Sequence, residues 1–167
     1  ILAPGFIDIQ VNGGGDVAFN NDPTVEGLAR MMEGHRRYGT TDMMPTLISD
    51  AHEIIEAGVN AVKDARKQAL PGILGVHIEG PFFNPAKRGT HQESRIRQPD
   101  ETDIEWLCDI NSTDSRPPLK TIVTLAPEQT SPGQIKRLVD AGILVCAGHT
   151  DAFATDITRA LKEGLRG

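Results

Sequence analysis

Glu79 closes an apolar run, residues 75–79 (GVHIE), and Gly80 and Pro81 follow it directly. A carboxylate at the end of a buried strand is costly to desolvate unless something positive lies beside it. As a hard anionic ligand it could hold Zn²⁺ with histidine partners, and the sharp turn set by Gly80 and Pro81 would fix its direction. His149 follows a second apolar run, residues 144–148 (LVCAG). Imidazole is the commonest zinc ligand. Glu79 and His149 supply two ligands where a catalytic zinc takes about three, so the third is expected from beyond Gly167.

Other polar residues recur at the same ends of apolar runs. Gln10 and Asn12 are two apart and therefore share one face of a strand. Amides are poor ligands for transition metals, so the pair reads either as site lining or as a strand-end turn leading into Gly13, Gly14 and Gly15. His77 shares a face with Glu79 and is either site lining or a core histidine. Glu128 ends a further run. Residues 84–98 (NPAKRGTHQESRIRQ) carry Lys87, Arg88, Arg95 and Arg97, with His91 after Gly89 and Thr90. A long irregular loop of this kind is usually functional or mobile, and its basic residues would suit an anionic substrate or simply face solvent. His91 is the stronger candidate, because Gly89 lets the backbone approach a ligand closely.

The elements that must position these residues alternate along the chain. Strands are expected at 5–11, 40–47, 72–79, 120–128 and 143–149. Helices are expected at 22–39, from Ser49 onward, around 101–111, from Ser131 and Pro132 to Gly142, and at 153–163. Asp22 suits the cap of the first helix and Pro23 its first turn. Thr150 or Asp151 would cap the last. Near-continuous apolar strands between crossover helices imply a parallel α/β sheet covered on both faces. Five such units fit either a complete doubly wound domain or part of an eight-unit barrel, which takes about 250 residues. In both, function gathers at the carboxyl ends of the strands. The sequence opens on Ile1 without methionine and closes on Gly167 as a helix finishes. It is therefore read as part of a longer chain, truncated at both ends, which favours the barrel.

Composition sets outer limits. Of 167 residues, 38% are apolar and 24% charged, an ordinary soluble balance. A net charge of -6 argues against a broad nucleic-acid surface. No apolar run approaches the roughly 18 residues that span a bilayer, and no signal peptide is visible. Cys108 and Cys146 are isolated and read as reduced thiols of a cytoplasmic protein.

Taken together, residues 4–13 (PGFIDIQVNG), 75–91 (GVHIEGPFFNPAKRGTH), 124–128 (TLAPE) and 147–152 (AGHTDA) resemble the N-acetylglucosamine-6-phosphate deacetylases of the amidohydrolase superfamily. The His-x-Glu-Gly-Pro segment with its downstream Gly-Thr-His is the specific part. The resemblance implies a metal-dependent (β/α)8 barrel of which residues 1–167 form units one to five, without the last three units and a small β domain. It implies Glu79 and His149 as metal ligands, and His91, with Thr90 before it, as the substrate contact that polarises the acetamide carbonyl. Gln10 and Asn12 stand where many amidohydrolases have His-x-His, a departure that looks like the single-metal branch: one divalent ion, zinc. The implied reaction converts N-acetylglucosamine 6-phosphate to glucosamine 6-phosphate and acetate, in a homo-oligomer when intact. The proton-transferring aspartate and the phosphate contacts would lie beyond Gly167, so the fragment alone is expected to be inactive. Two alternatives stay open: another amidohydrolase acting on cyclic amides, and a non-catalytic five-stranded α/β binding domain.

Overall fold

The computed structural model describes residues 2–112 and 119–167. It divides into two compact units, the first made of 1–47 and 51–77 and the second of 48–50 and 78–167.

In the first unit, β1 (Phe6–Val11) runs parallel to β4 (Thr40–Ile48), with Phe6 opposite Thr40 and Val11 opposite Pro45. The strand order there is β1-β4-β5, where β5 is Gly75–Glu79. Residues Met43 to Leu47 are all buried, the pattern of a strand covered on both faces. The helices α1 (Val25–Arg36) and α2 (His52–Lys67) cover the sheet. Their buried sides are Leu28, Met31 and Met32 on α1, and Ile55, Val59 and Val62 on α2, the three-to-four-residue spacing of an amphipathic helix. Between β1 and α1 the glycine run makes an unexpected hairpin, β2 (Gly13–Gly14) against β3 (Val17–Ala18).

Two caps differ from expectation here. Thr24, not Asp22, caps α1, accepting from the Gly27 amide at 3.0 Å. Asp22 instead accepts from the Thr24 hydroxyl and pairs with Arg30. The helix α2 starts three residues later than expected, at His52 with Ala51 in the cap position. Ser49 is thereby released from capping, and its partners lie elsewhere.

The second unit takes the end of β5 together with β6 (Lys120–Leu125) and β7 (Leu144–Ala147), in the order β5-β6-β7. The last two are parallel, from Ile122 opposite Leu144 to Leu125 opposite Ala147. Around them lie α3 (Glu101–Ser112), α4 (Gln134–Asp140) and α5 (Ala154–Glu163). Ile104, Leu107, Val123, Leu125, Ile135, Leu138 and Val145 fill the core. The strand expected to reach 128 ends at Leu125, and Pro127–Gln129 form a 3-10 turn, since proline has no amide for a strand ladder. The strand expected at 72–79 begins at Gly75, and α4 begins at Gln134 behind a left-handed Gly133. No helix among the described residues is long and apolar enough to cross a membrane.

Candidate metal centre

The second unit assembles its polar cluster from the end of β5, the loop behind it and the residues after β7. The loop is anchored along its length. The Gly80 amide donates to the Thr124 carbonyl at 3.0 Å, Ala126 to Phe82 at 2.8 Å, Asn84 to His149 at 3.0 Å and Arg97 to Pro81 at 3.2 Å. Further along, the Arg97 guanidinium grips Asp103 at the start of α3 and lies 5.4 Å over the Phe82 ring. The Asp103 hydrogen bond raises the Arg97 pKa further, against the opposing effect of burial.

Glu79, His91 and His149 each bring one ligand atom into a group within 4.8 Å of one another. Glu79 is 8% exposed and His91 is 2% exposed. The Glu79 Oε1 faces His149 Nε2 at 3.3 Å. On the far side of the ring, His149 Nδ1 lies 2.9 Å from the Lys87 carbonyl oxygen. A carbonyl only accepts, so Nδ1 carries a proton and Nε2 is the nitrogen that faces Glu79. Two electron-rich atoms this close need a positive charge between them, a proton or a metal cation. Carboxylate plus imidazole is a donor set that suits zinc, and an imidazole whose other nitrogen donates to a carbonyl is the usual second-layer arrangement of a metal-binding histidine. The residues therefore fit a divalent ion.

His91 is wired the other way. Its Nδ1 accepts from the Ser49 amide at 3.3 Å and lies 2.8 Å from the Ser49 hydroxyl. With an amide proton directed at Nδ1, the ring's own proton belongs on Nε2. Burial pushes the His91 pKa down; the nearby Glu79 works against that and His149 adds to it, and the net shift is downward. His91 is thus a neutral imidazole presenting an N–H donor, better suited to a carbonyl oxygen than to a metal.

Phe83 holds the two imidazoles in place. Its ring stacks on His149 with centroids 4.3 Å apart and meets His91 edge-on at 4.8 Å. Gly80 makes room for this arrangement. With φ of 88° it is left-handed, and a Cβ there would sit 2.2 Å from the Ser49 Oγ and 2.9 Å from the Phe83 ring. Gly89 approaches His149 closely: a Cβ on it would lie 3.3 Å from Cε1. His149 itself has φ of 49°, a conformation uncommon for a residue with a side chain.

Glu128 stands beside this turn. It accepts from Asn84 Nδ2 at 3.0 Å, from the Asp151 amide at 2.8 Å and from the Thr150 hydroxyl. Burial alone would raise its pKa; those three hydrogen bonds, with one from its own backbone amide, outweigh burial and bring it below the usual glutamate value. Thr150 and Asp151, expected as helix caps, are thus engaged with Glu128, and α5 starts after Phe153.

The remaining expected residues sort as follows. Thr90 is exposed on the loop immediately before His91. Gln10 and Asn12 are exposed at the end of β1 in the first unit. His77, also in that unit, is buried with Nδ1 3.1 Å from the Ile9 carbonyl oxygen and 3.5 Å from the Thr46 hydroxyl, the bonding of a satisfied interior histidine. The basic loop residues all have carboxylate partners: Lys87 with Asp151, Arg88 with Glu93, Arg95 with Asp50 and Arg97 with Asp103. Sequence reasoning missed Ser49 and Phe83. Ser49 stands just past the carboxyl end of β4 and was legible only by reading that strand end two residues further.

The amidohydrolase family matches residues 1–166. The N-acetylgalactosamine-6-phosphate deacetylase of Shewanella sp. (strain ANA-3) is 44% identical over 166 residues, covering 99% of this chain and 41% of that protein. The N-acetylglucosamine-6-phosphate deacetylase of Haemophilus influenzae is 33% identical over 98% of this chain and 41% of its own length. Among solved structures, N-acetylglucosamine-6-phosphate deacetylase from Pasteurella multocida superposes with a TM-score of 0.88 at 33% identity, over 97% of this chain and 41% of that one. The chain thus spans about two fifths of the length of these relatives.

Proposed function

The chain belongs to the amidohydrolase family, and on that premise we propose that it forms part of a hydrolase that removes the acetyl group from an N-acetylhexosamine 6-phosphate. Residues 1–167 are read as units one to five of a (β/α)8 barrel, a reading supported by their 41% share of the relatives' length. The observation that carries the proposal is the approach of Glu79 Oε1 to His149 Nε2 at 3.3 Å, with His149 Nδ1 bonded to the Lys87 carbonyl.

In this reading Glu79 and His149 hold one divalent ion, zinc. Such an ion, when bound, supplies Lewis acidity and brings the pKa of a water toward neutrality. The rest falls to the chain's own groups. Lys87 keeps His149 in the tautomer whose Nε2 is bare. Ser49 keeps His91 in the opposite tautomer, with Nε2–H directed outward. An acetamide oxygen set against that N–H receives a hydrogen bond that strengthens as negative charge develops on it. Thr90 lies beside it as a substrate contact. Phe83 excludes water from one side of both rings, which strengthens each polar contact there.

Two substrates are in view, epimers at one sugar carbon. The sequence motifs resemble those of the glucosamine enzymes, whereas 44% identity to the galactosamine enzyme against 33% to a glucosamine one favours N-acetylgalactosamine 6-phosphate. The test is acetate release by the zinc-loaded full-length protein carrying this chain from each epimer, compared as kcat/KM. The proposal expects hydrolysis of at least one. Opening of a cyclic amide with neither acetyl sugar hydrolysed would replace it with the other amidohydrolase reading.

A further inference from the structure

Glu128 takes no part in the site described above, yet three donors from two separate segments converge on it. Asn84 comes from the loop behind β5, and Thr150 and Asp151 come from the turn behind β7. The circuit closes through the backbone: the Asn84 amide donates to the His149 carbonyl at 3.0 Å. His149 sits inside that circuit, in a left-handed conformation with φ of 49°. A side chain in that region persists only where its surroundings over-determine it. Thr150 is itself held twice, since its hydroxyl oxygen also accepts from the Ala152 amide at 3.0 Å.

We infer that Glu128 is a positioning residue for His149: its carboxylate clamps the two residues that follow His149 and the loop residue Asn84, whose amide holds the His149 carbonyl, and so fixes where Nε2 stands relative to Glu79. This rests on the reading of Glu79 and His149 as metal ligands. The chemistry asks for an acceptor with two oxygens. Three donors point inward, and a neutral hydroxyl or a single carbonyl could not satisfy them all. Glutamine can nearly do so. Its Oε1 would keep the Asn84 and Asp151 bonds, and its amide would donate to Thr150, whose hydroxyl proton can turn away. Alanine leaves all three donors without their acceptor.

The experiment uses the full-length protein carrying this chain, as wild type, Glu128→Ala, Glu128→Gln and Thr150→Val. Zn²⁺ affinity is measured by competition with a chelator at a temperature where circular dichroism shows each variant folded. The visible spectrum with Co²⁺ reports the ligand geometry. Loss of a partner in the outer layer of a metal site costs about 10–100-fold in affinity, and Glu128→Ala is expected in that range with altered Co²⁺ bands. Glu128→Gln is expected to recover most of the loss, and Thr150→Val to weaken binding less than Glu128→Ala does. Should Glu128→Ala fail to fold, Thr150→Val decides: weakened binding supports the inference, and wild-type affinity with an unchanged Co²⁺ spectrum overturns it. A folded Glu128→Ala that melts earlier but binds Zn²⁺ like wild type also overturns it, because the carboxylate would then serve stability alone. A wild-type protein that binds neither ion overturns the reading of the site and this inference with it.

Discussion

His91 and His149 lie 4.7 Å apart as ring centroids, yet their hydrogen bonds assign them opposite protons. The Lys87 carbonyl takes the Nδ1–H of His149, and the Ser49 amide occupies Nδ1 of His91. The two residues should therefore fail differently. His91→Asn is expected to lower kcat by about 10²–10³-fold, the usual effect of losing one donor to a developing oxyanion, while zinc stoichiometry stays at the wild-type value. Metal analysis of the purified variant checks this, and lost zinc would make His91 a ligand instead. Glu79→Gln is expected to lose metal and turnover together, by more than the roughly 10–100-fold typical of an outer partner; equilibrium dialysis beside an acetate assay would reveal normal binding if that is wrong. Glu128 adds a pH signature. Its folded pKa lies below its ordinary value of 4.5 because hydrogen bonds outweigh burial, so its contribution is present above that pH and lost as pH falls through the folded pKa. Glu128→Gln has no such group to protonate. The stability gap between wild type and Glu128→Gln should narrow on acidification below about pH 4.5, as urea titrations at several pH values would measure.

At the scale of elements, the strand ends were the legible part. An apolar run closing on Glu79 and another closing on Gly148 before His149 are chemical statements that survive without coordinates, and both residues stand at those ends. The caps were not legible, for one physical reason. Ser, Thr and Asp side chains bond a helix amide or a tertiary partner equally well, and only the fold decides which is near. Ser49 went to His91, Thr150 and Asp151 went to Glu128, and Thr24 displaced Asp22. The pairing of the basic loop residues was hidden likewise, because Asp50, Asp103 and Asp151 are distant in sequence from some of their partners. Gly80 shows what the loop requires. Its motif marked a turn, but the structure shows a second demand, since any Cβ would strike the Ser49 hydroxyl. Gly80→Ala combines that clash with a left-handed backbone, and such strain costs about 1–3 kcal/mol. The variant should melt earlier than wild type by differential scanning calorimetry, and should lose kcat out of proportion because Ser49 no longer seats His91. An unchanged melting temperature would mean that the turn relaxes without strain.

For the molecule as a whole, the informative surface is apolar. On β1, Phe6 is 69% exposed, Ile7 62% and Ile9 55%, and β1 stands at the outer end of the order β1-β4-β5. At the outer end of β5-β6-β7, Leu144 on β7 is likewise exposed, as are Phe153 and Leu161 around α5. An unpaired strand edge carries a row of amides and carbonyls ready to pair with another chain, and apolar side chains on it add an area that water disfavours. The relatives are longer than this chain, which accounts for 41% of their length. Residues 1–167 expressed by themselves should therefore associate, and should release no acetate from either sugar phosphate. Sedimentation velocity over a range of concentrations is the direct measurement, with large or growing species expected. Replacing Ile7 and Ile9 with Lys and Thr should shift the distribution toward smaller species, because a charge on an edge strand blocks edge-to-edge pairing. A concentration-independent monomer with deacetylase activity would show that these apolar strands need no cover, and would place every group the chemistry requires within this chain.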